Sequence, residues 1–432
     1  MITVVGFAMI IAIVVVLLKG KLSPIVVLTI IPAIAALILG YNPVEIAGFI
    51  KNGIGTTTSN GVLFIFSVIY FGVLADTGVF DVIVGFLVKK AGNNVIAVTV
   101  ATAIIATIAH LDGASAVTVL ITIPAMYSIY KAMHIDVRIL LCLTGACMGV
   151  MNLLPWGGPV ARAATVMAMD VNDLWRILIP VQVIGCILNI VLAVLLGIYA
   201  IRHGAGKGDA SLTTSTQVKK EESSDLKRPR LLVFNSLLTV VLIGILASGL
   251  VTSYVAFLVA LCIIMTVNYP DQKIQNNLIK KHAPAALIIS ATMFSAGAMV
   301  GIFDGTEMLT HMAMAIMSVI PGSLGKYIHI IFGILAMPLG MCIGTDAYFY
   351  GVMPLVIQVG ETYGVTALST AVTMIIGKNL ALMVSPLVPA TYLALGLADT
   401  ELKDHIKFSA PIYWIASLIV LLLAVIIGIV PL

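Results

Sequence analysis

Apolar runs of near membrane-spanning length recur along the chain, separated by short polar connections, and four longer apolar stretches are each interrupted near their middle. About 20 apolar residues are needed for a helix to cross a bilayer. The uninterrupted runs fall at 4–18, 24–40, 60–75, 179–200, 231–249, 254–268, 284–302 and 410–430. The first lacks the basic start and small-residue cleavage site of a secretory leader, so it is expected to be a retained helix. Segments 138–168 and 366–396 contain Pro and Gly where a continuous helix would be lipid-exposed, and they predict discontinuous helices, which brings the crossings to ten. Stretches 95–130 and 328–357 are interrupted by polar tips, His110 to Ser115 and Gly344 to Tyr348, and predict re-entrant hairpins.

The same order occurs twice: three helices, an amphipathic connector (79–91, then 306–320), a hairpin, a broken helix and a closing helix. The expected organisation is a first repeat over 1–201, a linker over 202–230 with the Ser/Thr-rich and charged composition of a disordered segment, and a second repeat over 231–432. An odd number of crossings per repeat inverts the second relative to the first. Lysines and arginines agree: with the linker cytoplasmic, 18 of the 23 fall inside, Lys51, Arg176 and Lys326 fall outside, and Arg162 and Lys378 lie within membrane segments. The positive-inside rule therefore predicts both termini outside, with the first hairpin entering from the cytoplasm and the second from outside.

The breaks carry the strongest signal. Asn152 to Arg162 reads NLLPWGGPVAR, and Ser385 to Gly396 reads SPLVPATYLALG; Pro159 and Pro389 stand 230 residues apart. Each proline removes a backbone donor that lipid cannot replace, so such a stretch persists only against protein or water. One broken helix in each inverted half marks a secondary transporter whose site lies where the breaks meet near the bilayer midplane.

Composition agrees with a polytopic membrane protein: 61% hydrophobic and 10% charged residues, against roughly 45–50% and about 25% in soluble chains. The net charge of +4 reflects loops flanking helices and gives no reason to expect nucleic-acid binding. The cysteines, Cys142, Cys147, Cys186, Cys262 and Cys342, lie in apolar segments without metal-type pairing and read as packing residues.

Ionisable groups at membrane depth are functional candidates by default, and here they are His110, Asp112, Arg162, Asp346 and Lys378. Asp112 and Asp346 occupy hairpin tips entering from opposite faces, an arrangement suited to a cation or proton; each can equally cap its hairpin helix. Arg162 sits in the first turn after the break, where its planar fork and the free amides of a helix N-terminus suit a carboxylate; the alternative is a structural pair with Asp112. Lys378, beside Asn379, is a tethered cation or a partner for Asp346. His110 carries a coupling proton or only donates a hydrogen bond. Substrate contacts are expected from Ser115, Asn152, Pro155, Trp156, Gly157, Gly158, Thr345, Ser385, Pro386 and Thr391, with Trp156 either walling the site or packing the break. There is no HExxH, Walker loop or Gly-x-Ser-x-Gly elbow, and an intramembrane hydrolase would need a nucleophile and base beyond His110 and Ser115.

The runs AHLDGASAVTVLITIPAM, MNLLPWGGPVARAA, TDAYFYGVMPL and SPLVPATYLALGLA, with DHIKF following, resemble the bacterial citrate-metal:proton symporters of the ion transporter superfamily, over nearly the whole chain. The resemblance departs at the first tip, where the family's HLDGDG reads HLDGAS and Ala114 stands in place of the second acid, followed by Ser115. It implies an all-α, inverted-repeat, elevator-type symporter in a bacterial plasma membrane, working as a homodimer. It also implies proton-driven uptake of citrate complexed to a divalent metal such as magnesium or calcium, the metal arriving bound to substrate and no resident cofactor being used. Another carboxylate, sodium coupling, or sodium/proton exchange on the same scaffold are the alternatives.

Overall fold

Capping residues and glycines set where the helices begin and end. The computed structural model describes residues 1–19, 21–206, 226–318 and 322–431, and among these there is helix but no strand. The first half runs α1 (Ile2–Lys19), α2 (Pro24–Ile38), α3 (Pro43–Asp76), α4 (Val79–Ala91), α5 (Val95–Ala109), α6 (Ser115–Ala132), α7 (Val137–Met151), α8 (Gly158–Val166) and α9 (Val171–Arg202). The second runs α10 (Leu232–Ser248), α11 (Ser253–Asn268), α12 (Gln272–Thr306), α13 (Met308–Met317), the single turn α14 (Gly322–Gly325), α15 (Ile328–Ile343), α16 (Met353–Thr362), α17 (Ala367–Asn379), α18 (Pro389–Leu397) and α19 (Leu402–Ile426). The hairpins are α5/α6 and α15/α16, the second with a π turn over Ala347–Val352; the broken helices are α7/α8 and α17/α18. Connectors α4 and α13 fall where the amphipathic pattern put them, apart from residues 319 and 320, which lie outside the described residues.

Two helices are much longer than their apolar runs. α3 begins at Pro43 rather than near residue 60, and α12 at Gln272 rather than near 284. Asn42 and Glu45 form a reciprocal capping box with Pro43 at the first position, which starts a helix regardless of the polar residues that follow. Thr57 and Thr58 then return their hydroxyls to backbone carbonyls in the preceding turn. Asp271 caps α12 with its side chain alone, accepting from the Lys273 and Ile274 backbone N–H groups. At 34 and 35 residues these helices reach roughly 50 Å at 1.5 Å per residue.

α3 and α12 hold the third place in the two series, and they pack directly on each other. Phe49 lies against Gly301 and Gly305, Gly53 against Gly297 and Gly301, and Ser290 donates to the Gly61 carbonyl at 2.8 Å. At the far end of α3, Asp76 accepts from Lys281 at 2.6 Å and His282 at 2.9 Å. Rising numbers on one helix meet falling numbers on the other, so corresponding helices are antiparallel and the halves are inverted. Small residues let the two backbones touch, which is how helices associate where lipid supplies no hydrophobic drive.

Backbone detail repeats as well. Gly113 and Gly344 at the hairpin tips share a φ of 72°, and Ala168 (φ 49°) and Asp399 (φ 47°), each just after the second part of a broken helix, are both left-handed. Non-glycine residues seldom adopt that conformation, so two of them at matching places reflect a shared chain path.

Residues 207–225 of the expected linker lie outside the described residues. Its end is anchored, contrary to the reading of 202–230 as a segment without structure: Arg228 donates to the Asn268 carbonyl at 2.8 Å and lies over the Tyr269 ring, and Lys227 pairs with Asp81 at 2.8 Å. With the Asp76 pairs to Lys281 and His282 and the Arg228 N–H donating to the Thr77 carbonyl at 2.9 Å, these contacts gather the end of α3, the start of α4, residues 227 and 228, the end of α11 and the first third of α12. Seven helices among the described residues are long and apolar enough to span a membrane.

Candidate functional site

Each broken helix is tied to the hairpin of its own half. α7 stops at Met151 because Leu153 and Leu154 close a tight turn on Val150 and Met151, and Pro155 follows. Asn152, 4% exposed, accepts from His110 Nε2 at 3.2 Å, while His110 Nδ1 lies 2.6 Å from the Thr118 hydroxyl on α6. Trp156 donates its indole N–H to the Leu111 carbonyl at 2.6 Å. The first tip therefore meets the first break at side-chain and backbone level, and His110, fully buried, is the joint between them. Because Gly206 donates to the Met133 carbonyl at 2.9 Å, the open end of this hairpin lies beside the end of α9, while its tip meets the break.

The second half repeats the scheme with different residues. Lys378, in the last turn of α17, donates to the Thr345 hydroxyl at 2.7 Å, and Ser385 donates to the Met341 carbonyl at 2.8 Å. Thr391, fully buried, turns its hydroxyl back on the Leu382 and Ser385 carbonyls and so stabilises the break from within. Pro386 is exposed at the break.

Across the halves, the second helix of each break packs on the opposite hairpin: α18 on α6, and α8 on the π turn of Ala347–Val352. This crossing places Arg162 Nε 2.6 Å from Asp346 Oδ1, with both side chains partly accessible at 20% and 24%. The structure thus takes neither alternative left open by sequence, Arg162 with Asp112 or Lys378 with Asp346. α8 delivers its arginine to the far hairpin, and Asp112 instead accepts from the Ala114 backbone N–H at 2.8 Å, shaping the first tip. Asp346 makes no capping bond to its own helix, so the capping reading fails there and holds in modified form for Asp112.

The Arg162 fork reaches further. A Cβ at Gly158 would stand 2.7 Å from Arg162 Nη1, so the guanidinium lies close against the first residue of α8. Gly157 is tighter still, its Cα facing the Asn152 and Leu154 carbonyls. Arg162 thus has Nη1 beside the first residue of α8 and Nε on Asp346, the residue next to Thr345. That combination can hold one carboxylate in a bidentate manner and offers a carboxylate of its own nearby.

Trp156 and Pro155, expected as substrate contacts, lie in packing positions, and Asn379, expected beside the coupling group, lines a small cavity. Trp156 packs, its ring 4.9 Å from Phe71 and 5.1 Å from Phe257 in an aromatic cluster that buries the break. Pro155 is buried with it, whereas Ser115 is partly accessible at the start of α6. Asn379, 3% exposed, finds no hydrogen-bond partner among the described residues; it lines a cavity of ≈ 20 Å³ between α7, α9, α17 and α19, large enough for one water. Among the described residues no cluster of three or more His, Cys, Asp or Glu side chains is arranged to hold a metal.

Sequence reasoning missed His405. It is fully buried on α19, donates to the Met383 carbonyl at 2.9 Å and so clamps the second break from behind. The histidine precedes the apolar run that starts at 410, so hydropathy places it in a loop, whereas α19 begins eight residues earlier, at Leu402.

A family model described as a citrate transporter, CitMHS, matches residues 1–377. The chain is 34% identical over 432 residues to the Mg(2+)/citrate complex secondary transporter of Bacillus subtilis (strain 168), with 99% of each chain covered. It is 32% identical over 437 residues to a citrate transporter of the same organism, with 100% of each covered. Among solved structures, the YdaH transporter of Alcanivorax borkumensis, reported to have an unusual topology, aligns with a TM-score of 0.59 at 15% identity over 88% of this chain and 89% of that one. At that identity the likeness concerns the fold alone. On the family match and the near-complete coverage of its relatives, the chain belongs to the CitMHS citrate transporter family, a family of multi-pass membrane transporters and not of enzymes.

Proposed function

We propose that this protein imports citrate as its complex with a divalent metal, magnesium or calcium, in symport with protons. The observation that carries the reading is the position of Arg162, held at Nε by Asp346 while its terminal nitrogen reaches the N-terminus of α8 at Gly158. A divalent metal neutralises two of the three citrate charges. One residual negative charge suits one guanidinium fork and one helix N-terminus. Free citrate would bring three charges up to Asp346 and Asp112, a repulsion of several kcal/mol at low dielectric unless both acids were neutralised. The metal is cargo in this reading, arriving bound to the substrate.

Binding tests the substrate class directly. Magnesium and citrate together are expected to raise the melting temperature of the purified protein in detergent, by an amount that follows the logarithm of complex concentration. Citrate in chelator, or magnesium alone, should leave it near the unliganded value. Equal stabilisation by citrate with and without chelator would remove the metal from the reading.

The movement we propose is an elevator step within a homodimer in a bacterial plasma membrane, both termini outside. Hairpins and breaks are bonded to each other within each half and packed across the halves, which favours one moving body, while the glycine seam between α3 and α12 favours a fixed one. The gathering of Lys227, Arg228 and Lys281 fits a cytoplasmic linker. In a background without native cysteines, a cysteine at Ser115 should react with impermeant thiol reagents mainly from the cytoplasm and one at Thr345 mainly from outside. Substrate should shift both; equal labelling from both sides, unmoved by substrate, would contradict the step.

A further inference from the structure

We propose that Lys378 is the residue that carries a coupling proton, an assignment that rests on the proton-symport reading above. Among the described residues it is the one lysine or arginine that is fully enclosed, at 1% exposure. Its stem runs across Gly340 of α15, where a Cβ would lie 2.6 Å from Lys378 Cγ, so the glycine forms the floor of a slot cut for this side chain. At the end of the slot Nζ meets the Thr345 hydroxyl at 2.7 Å and stands 5.5 Å from the centre of the Phe349 ring.

That setting suits an amine that gains and loses a proton. An ammonium offers three donors, and here it has one neutral acceptor and one aromatic face. The charged groups bearing on it are Arg162 and Asp346, which already compensate each other at 2.6 Å and leave no spare negative charge for a third ion. A buried cation without a counter-charge is strongly disfavoured, so before substrate binds Lys378 is a neutral amine donating to Thr345. The metal-citrate complex, with one residual negative charge, supplies the missing counter-charge at the second hairpin tip. Lys378 Nζ then takes one proton from the compartment the site faces, and returns it on the other side when the anion leaves. Asp346 is a poorer carrier, since protonating it would release Arg162. Thr345 makes the link to hairpin position, because the same hydroxyl that accepts from Lys378 lies at the tip.

Proteoliposomes containing wild type, Lys378→Met and Lys378→Arg decide the matter, using labelled citrate with magnesium. Wild-type net uptake should respond to an inward proton gradient by up to about tenfold per pH unit. Metal-citrate exchange, with substrate on both sides, needs no net proton movement. Lys378→Met is expected to keep measurable exchange and lose the response of net uptake to the gradient, and Lys378→Arg, which does not titrate, should also lose that response. Persistence of the response in either variant would overturn the proposal, as would loss of exchange in both, which would make Lys378 a substrate anchor. Failure of the underlying reading is distinct: it appears in the wild type, as uptake indifferent to magnesium or to the proton gradient.

Discussion

Arg162→Lys is expected to cut metal-citrate uptake by roughly tenfold to 100-fold at equal membrane abundance, the scale of losing a charged hydrogen bond worth about 1.5–3 kcal/mol. Charge alone does not fill the role. Nε holds Asp346 at 2.6 Å while Nη1 reaches the α8 N-terminus over Gly158. A lysine ammonium is a single point at the end of a flexible stem and can serve one of these positions at a time. Either Asp346 is left without its partner beside an incoming anion, or the anion loses its grip. Apparent affinity should weaken along with maximal rate. A lysine variant with wild-type rate and affinity would retire the anion-clamp role.

The second large effect concerns the seam between the halves. Gly301→Leu is expected to destabilise the fold by more than about 3 kcal/mol, through overpacking that no rotamer relieves. A Cβ there would press on the Phe49 carbonyl and stand 2.9 Å from the Gly53 backbone nitrogen, and backbone cannot move aside as a flexible side chain can. Gly55 lies on the same stretch of α3, and a Cβ added to it would meet nothing within 4 Å. Gly55→Ala is therefore the control and should be neutral or mildly stabilising. The yield of monodisperse protein after detergent extraction, and its melting temperature, distinguish the two. Normal yield and melting for Gly301→Leu would mean that α3 and α12 do not meet through backbone contact.

Hairpins and breaks were readable in the sequence because their cause is local. The pairs Pro155/Pro159 and Pro386/Pro389 each remove two backbone donors within five residues, where a lone proline is carried inside a helix, as at Pro180 and Pro284, and polar tips such as His110–Asp112 and Thr345–Asp346 interrupt apolar runs. The inversion was readable in the repeated order of elements, and the antiparallel packing of α3 on α12 agrees with it. Helix length was not. Hydropathy registers only apolar residues, and the polar first half of α3 is helical because of its Asn42–Glu45 cap and its packing on α12. The Gly297–Gly301 spacing was a usable sign of close helix approach, yet a seam needs its other side, and Gly53 is 244 positions away from Gly297.

The site divides along the same line. Residue identities at the tips and breaks were legible, whereas pairings were not, since Arg162 and Asp346 are 184 positions apart and either aspartate, or the substrate itself, could have taken the arginine. Trp156 as packing and Thr391 as an internal brace follow from neighbours, Phe71, Phe257 and the Leu382 carbonyl, that only the fold brings near.

Initial uptake of labelled citrate by the purified protein in liposomes tests the central claim most directly, with magnesium or chelator crossed against an inward proton or sodium gradient. Uptake is predicted only where metal is present, accelerated by the proton gradient and indifferent to sodium. Robust sodium-driven uptake in chelator, with no response to magnesium, would contradict it.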